Sequence, residues 1–293
     1  MDEDVVVTLT ATLKKGSETL TKKFEVTVSA VNEMMDTGYF ALSDVEVTDP
    51  YYDNALEMDV DNLLALDEDR LLAGFRETAG YAAGMSDSEV KTFMKNKTRY
   101  GGGWENALIG GHTLGHYLSA VAQGVVSPGL SDAKKAKLKE RLDSIISALA
   151  ECQKKTEGTD YEGFLFGATL PNKKDVDVQF DNVEKGATNI TTQAWVPWYT
   201  MHKILAGLVD SYKITGNEQA LEVANKLGTW IAKRANGWTE ATRKTVLGIE
   251  YGGMNDVLYD LYKVTNASNK EDFKKAAHQF DETTLFEAVL AGS

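Results

Sequence analysis

A helix that ends in Tyr-Lys-x-Thr and turns into a second amphipathic helix occurs twice in this chain, at 205–217 (LAGLVDSYKITGN) and at 255–267 (NDVLYDLYKVTNA). A second echo joins His116-Tyr117-Leu118-Ser119-Ala120 to His202-Lys203-Ile204-Leu205-Ala206, where a histidine near a helix start precedes the same apolar spacing. Recurrence of one helical pair about every 50 residues restricts the fold to stacked helical hairpins, as in a solenoid or an α/α toroid. Solenoid repeats keep a stricter consensus than this. The Gly-rich and aromatic connections fit a toroid better, because the ends of its inner helices converge on one pocket.

Helical spacing runs through most of the sequence. Leu56, Val60, Leu63 and Leu64 open it, Asp67 offers an N-cap to the next helix, and further helices are predicted over 113–126, 132–154, 194–214, 218–235, 254–264, 270–280 and 283–290. Two connections stand out. One is the Gly-rich 100–111, and the other is 155–192, long enough to count as a functional loop by length alone. Only the N-terminus alternates with period two, over 5–12 and 19–29 around Lys14-Lys15-Gly16-Ser17, which predicts a β-hairpin. Two strands are marginal in water, so this hairpin is read either as an edge hairpin packed on the rest of the chain or, as the expected case, as the closing strands of a β-sandwich module. Residues 1–31 resemble the last strands of small bacterial Ig-like repeats, with a helical domain over 32–293.

The net charge of −13 argues against nucleic acid, which requires clustered Lys and Arg. No apolar run reaches the roughly 20 residues of a membrane span. The opening Met1-Asp2-Glu3-Asp4 is acidic where a signal peptide is basic, so either the protein is cytosolic or its true N-terminus lies upstream. The single cysteine, Cys152, excludes an internal disulfide and any multi-cysteine metal site within the chain.

The richest chemistry lies in 99–120 (RYGGGWENALIGGHTLGHYLSA). Three glycines allow close backbone approach, Trp104 supplies a flat apolar face, and Glu105 supplies a carboxylate, a combination suited to the C–H faces and hydroxyl edges of a sugar. A Gly-rich turn whose Trp caps a core would use the same residue types. His112 and His116 share a helix face at zinc-ligand spacing, but no glutamate stands between them and no third ligand is evident, so hydrogen bonding is the expected role. Trp195, Trp198, Tyr199 and His202 crowd one helix entrance, as a packed staple or as a sugar subsite. Glu250-Tyr251-Gly252-Gly253-Met254-Asn255 sets glycines beside a carboxylate and an amide at another entrance, where unpaired N–H groups can meet an oxygen-rich ligand or can merely be capped. Cys152 has no histidine beside it in sequence and is not expected to act.

Four windows, LALDEDRLLAGFRETAG (64–80), YGGGWENALIGGHTLGHYLSAVA (100–122), WYTMHKILAGLVDSYKITGNEQALEVANKL (198–227) and EYGGMNDVLYDLYKVT (250–265), agree in order and spacing with one known family. Together they resemble the N-terminal half of the catalytic domain of β-L-arabinofuranosidase-type glycoside hydrolases, families 127 and 146. The resemblance implies a mainly α fold, here part of an (α/α)6 toroid of helical hairpins with a short N-terminal β-hairpin. It also implies retaining hydrolysis of terminal β-L-arabinofuranosyl groups on plant glycans by a secreted or cell-surface bacterial protein. The family's nucleophile is a zinc-bound cysteine thiolate, and its zinc ligands and acid/base glutamate lie late in the domain. They are expected beyond Ser293, which leaves this chain without catalytic residues or a cofactor of its own. Sugar-binding positions carry over to His202, Trp104, Glu105, His112, His116, Tyr199, Glu250 and Asn255. Two other readings are a non-catalytic glycan-binding helical domain and an α/α-toroid enzyme acting on uronic sugars.

Overall fold

The computed structural model describes residues 5–28 and 40–292, in two units that divide between Val45 and Glu46. In the first unit β1 (Val5–Lys15) pairs antiparallel with β2 (Glu18–Val28), from Val5 opposite Val28 to Lys15 opposite Glu18. Of the two turn residues only Gly16 has positive φ, 62°, as a tight turn with glycine first requires. The strands are longer than the alternating runs because the register continues through Lys14 and Lys15 to the turn. Leu9 faces Phe24 and Leu13 faces Leu20 on one side of the ribbon, and all four are exposed. The expected Ig-like module falls partly on residues 1–4 and 29–31, outside the described residues.

The second unit is helical. Its elements are α1 (Pro50–Ala65), α2 (Glu68–Leu71), α3 (Ala73–Ala82), α4 (Asp87–Phe93), α5 (His112–Val126), α6 (Asp132–Lys155) and α7 (Val178–Glu184), followed by α8 (Pro197–Thr215), α9 (Glu218–Ala235), α10 (Glu240–Ile249), α11 (Met254–Val264), α12 (Lys270–Gln279) and α13 (Thr283–Ala291). Local chemistry sets several of the boundaries. Asp49 and Asp67 cap α1 and α2, Ser86 and Glu89 form a reciprocal capping box on α4, and Asn217 caps α9. Gly216 ends α8 in the left-handed conformation that completes the Tyr-Lys-x-Thr signal.

Three hairpins, α5/α6, α8/α9 and α11/α12, stack into two rows. Along the inner row α5, α8 and α11 run parallel. His112 meets Tyr199, Ser119 donates to Asp210 at 2.6 Å, and Lys213 reaches Asp260 at 2.7 Å. The outer row α6, α9 and α12 is parallel as well, with Ser147 on Gln219 and Asn269 on Thr229. This is the arrangement of an α/α toroid, and it places the three inner-helix N-termini at one end.

The closest crossing in the inner row is between glycines. A Cβ on Gly115 would lie 2.0 Å from the Lys203 carbonyl oxygen, and one on Gly207 would lie 2.4 Å from that of Gly115. The helices therefore touch backbone to backbone, with Leu118, Ile204 and Leu208 buried beside the contact. Behind the row lies an aromatic core. Trp198 packs against Phe180, Trp238 and Phe280, and Phe164 against Phe166 and Trp230. Much of this core comes from 155–192, the connection expected to be a loop. It contributes α7 and a buried Phe164–Ala168 run in which Arg99 holds the Gly167 and Ala168 carbonyls at 3.0 and 2.8 Å. At the far end α13 buries none of its side chains, and Leu285, Phe286, Val289 and Leu290 are exposed.

Gly115→Ala is expected to destabilise the protein by about 2–3 kcal/mol or more, since both partners are backbone and cannot move aside. Gly248→Ala, at a helical site with nothing within 4 Å of the added carbon, is expected to stabilise by about 0.5 kcal/mol. Urea unfolding of the two variants checks both signs.

Candidate functional site

The site is built where α5, α8 and α11 begin. Gly111 opens α5 at φ 96° and Gly253 opens α11 at φ 79°, and neither entrance has a side-chain cap from its own N-cap residue. Val196 opens α8 at φ 41°, a left-handed conformation that is unfavourable for a β-branched residue, and Pro197 follows it. Substitutes for the caps come from other loops. Glu105 Oε2 accepts from the Gly111 N–H at 3.1 Å, and Glu250 Oε2 accepts from the Tyr199 N–H at 3.0 Å.

On this frame the histidines gather. His112 is buried and its Nδ1 lies 2.8 Å from the Ile109 carbonyl oxygen, which can only accept, so that nitrogen carries the proton. The His112 ring lies 5.9 Å from Trp104, 6.2 Å from His116 and 5.8 Å from Tyr199 between centroids, and Glu105 Oε1 approaches its Nδ1 to 3.8 Å. Gly253 presses on His202 so closely that a Cβ there would fall 2.1 Å from Cε1. Trp104 stands 62% exposed at the rim, a flat face open to solvent.

Burial and neighbouring charge disfavour the charged forms of His202 and His116. Burial, with the charges of Lys203 and His116, pushes the His202 pKa down from 6.5 to about 4. His116 is lowered by its partial burial and then by Lys203 and His112. Glu250 moves the other way, as a buried acid must. Its pKa rises from 4.5 to about 7, although the Tyr199 and Trp198 N–H groups favour the charged form. Three buried polar atoms here, Glu105 Oε1, His202 Nδ1 and Glu250 Oε1, have no hydrogen-bond partner. Buried polar atoms are nearly always paired, so three orphans at one place mark a functional region.

The residues singled out in the sequence thus divide. His112, His116, His202, Tyr199, Trp104 and Glu105 come together, with Glu250 directly behind Tyr199. Asn255 turns away, its Nδ2 donating to Asp281 at 3.0 Å and its Oδ1 accepting from the Asp256 N–H. Trp198 faces the aromatic core and Tyr199 faces the histidines, so the staple and the subsite are adjacent residues of one turn. Lys203 was not foreseen. Its ammonium sits 5.2 Å from the Tyr199 ring centroid, a contact that the i, i+4 spacing on α8 makes available.

The residues present do not fit a zinc–cysteine centre. The one cysteine is fully buried between α6 and the core, where desolvation pushes its thiol up to about 12. Among the described residues no three His, Cys, Asp or Glu side chains are grouped to hold a metal ion. The spaced, edge-to-face His112 and His116 rings agree with hydrogen-bonding roles.

A solved structure with this helical arrangement is a GH127 β-L-arabinofuranosidase from Geobacillus stearothermophilus T6. It matches with a TM-score of 0.51 at 15% identity, over 80% of this chain and 32% of the other, so the likeness shows the fold and this chain spans about a third of that enzyme's length. No curated relative matches the sequence. The sequence pattern of the β-L-arabinofuranosidase GH127 catalytic domain matches residues 44–291. The chain belongs to that glycoside hydrolase family.

The two buried titrations have opposite signs. Between pH 4.5 and 7 the unfolded chain releases the Glu250 proton while the folded one keeps it, so this group's contribution to stability falls as pH rises, by about 3 kcal/mol in all. His202 binds its proton less readily when folded, so its contribution is present above pH 6.5 and is lost as pH falls toward 4. Glu250→Gln removes only the first. The stability of this variant minus that of the wild type, followed by urea unfolding, is expected to rise from pH 4.5 to 7, with all other groups cancelling. His202 signals in an NMR titration are expected to stay those of a neutral ring down to about pH 5.

Proposed function

We propose that the face formed by the entrances of α5 and α8 binds a terminal β-L-arabinofuranosyl group of a plant glycan, as the recognition part of a retaining, secreted β-L-arabinofuranosidase. The observation that carries this reading is the set of imidazoles and aromatic faces gathered around His112, with Trp104 exposed at the rim. Sugars offer hydroxyls that both donate and accept. The exposed His116 ring and His202 supply the complementary partners, and Trp104 and Tyr199 supply rings for C–H faces.

Recognition is proposed without hydrolysis by this chain. The family's route needs a metal-held thiolate, and Cys152 is buried, protonated and remote from solvent, so a nucleophile of that kind is missing from these residues. The exposed Leu and Phe pairs of the hairpin support its reading as part of an Ig-like β-sandwich. Lys203 favours a second reading, an anionic uronic sugar, because its ammonium lies over the ring of Tyr199 within the site.

Calorimetry or NMR titration of the chain with methyl β-L-arabinofuranoside is expected to show binding near the millimolar range, about 4 kcal/mol. Binding should weaken about tenfold in His202→Ala, the loss of one or two sugar hydrogen bonds. Methyl glucuronide binding more tightly than the arabinofuranoside, with the preference lost in Lys203→Gln, would transfer the proposal to uronic sugars. No release of nitrophenol from an aryl β-L-arabinofuranoside is expected. Turnover that disappears in Cys152→Ser would overturn the non-catalytic reading.

A further inference from the structure

The entrance of α8 is the least self-sufficient of the helix starts around the site. Val196 caps nothing with its side chain, Pro197 brings no N–H, and the first intrahelical bond is that of the Thr200 N–H to the Val196 carbonyl at 3.2 Å. The Trp198 and Tyr199 N–H groups therefore have no acceptor within the helix. Glu250, 51 positions along the chain, supplies one. Its residue is 8% exposed, and Oε1 is shut off from solvent, so a ligand cannot reach that oxygen in this arrangement. Three residues further on, Gly253 rests on the His202 ring. One short loop thus grips α8 twice, at the N–H of Tyr199 and at the imidazole one turn beyond it.

We propose that Glu250 is a positioning residue: its carboxyl group caps α8 from the loop leading into α11 and so fixes where Tyr199 and His202 stand relative to His112. It touches no sugar. The same device serves α5, where Glu105 caps Gly111 from the preceding loop, but Glu105 keeps its second oxygen beside the His112 ring. Glu250 turns both oxygens inward. As regards the sugar, the inference rests on the proposed function, while the capping itself does not depend on it.

The test compares Glu250→Met, which keeps the length and loses the acceptor, with Glu250→Gln, which keeps an oxygen for the Tyr199 N–H. Three quantities are read on the whole chain: amide exchange at Tyr199 against Ile145 of α6, the His202 ring pKa, and affinity for methyl β-L-arabinofuranoside. In Glu250→Met, exchange at Tyr199 is expected to quicken about tenfold or more with Ile145 unchanged, as for a lost N-terminal acceptor. The His202 pKa is expected to move up toward 6.5 as the ring loosens beside Lys203 and His116, and the affinity to fall about tenfold. Glu250→Gln should restore all three to within about threefold of wild type. Unchanged Tyr199 protection in Glu250→Met would overturn the capping role. Loss of affinity in Glu250→Gln with protection retained would make Glu250 a ligand contact and overturn the positioning role. A wild-type chain that binds no arabinofuranoside would defeat the proposed function alone, with exchange and the His202 titration still deciding the cap.

Discussion

Two glycines carry the architecture. Where α5 and α8 cross, Gly115 and Gly207 bring main chain against main chain, and a single methyl group on either would meet a carbonyl oxygen. That distance sets how closely α5 and α8 approach, and contacts on either side of the crossing depend on it. Toward the N-termini it brings the His112 ring to Tyr199, and toward the C-termini it brings Ser119 to Asp210. With bulkier residues at the crossing, the helices would part by roughly the 1–2 Å that separates glycine-mediated from ordinary packing distances, and the histidines of one helix would lose the aromatic ring of the other.

The site and the core are two sides of one helical turn. Trp198 enters the aromatic cluster and Tyr199, the next residue, faces the imidazoles, so the rigidity of the cluster is passed directly to the pocket. The pocket shows the cost that such a position imposes. His202 is held neutral by burial, Glu250 is held near its midpoint at neutral pH, and three polar atoms lack partners. A packed interior would normally have eliminated these features. Deeper inside, Gln179 is paired at both ends, its amide N–H donating to the Leu108 carbonyl and its oxygen accepting from the Trp195 N–H.

What the sequence disclosed depended on range. Helices with their own apolar stripe, such as α5, α6, α9 and α12, were legible to within a residue or two, and so was the turn after Tyr-Lys-x-Thr, because the determinants are local. The helices α7 and α10 were not. The first is short and held by Arg234 of α9, which pairs with Asp177, Asp181 and Glu184, and the second fully buries only Val246 and Leu247 of its side chains. The pattern of glycine, aromatic and histidine at helix entrances picked out Trp104, Glu105, His116 and Tyr199, which the structure sets around the His112 ring, with His202 one turn further along α8. It was blind to direction. Asn255 and Glu250 stand in the same motif as Gly253, and only the packing shows one amide turned to Asp281 and one carboxylate turned beneath α8. The use of Glu250 as a distant cap has no signature in sequence, since donor and acceptor lie 51 positions apart.

Three parallel helices beginning at one place have an electrical consequence. Each N-terminus behaves as roughly half a positive charge, so α5, α8 and α11 together direct about one and a half charges at the pocket. The chain as a whole carries −13. Screening over about 8 Å at physiological salt confines the remote acidic surface to its own neighbourhood, whereas aligned peptide dipoles under a few ångströms of protein are hardly screened. The carboxyl groups of Glu105 and Glu250 sit at two of these three helix starts and take up part of that positive potential from within the same cluster of loops. An acidic surface thus surrounds a small region where aligned dipoles and their own counter-groups are held face to face.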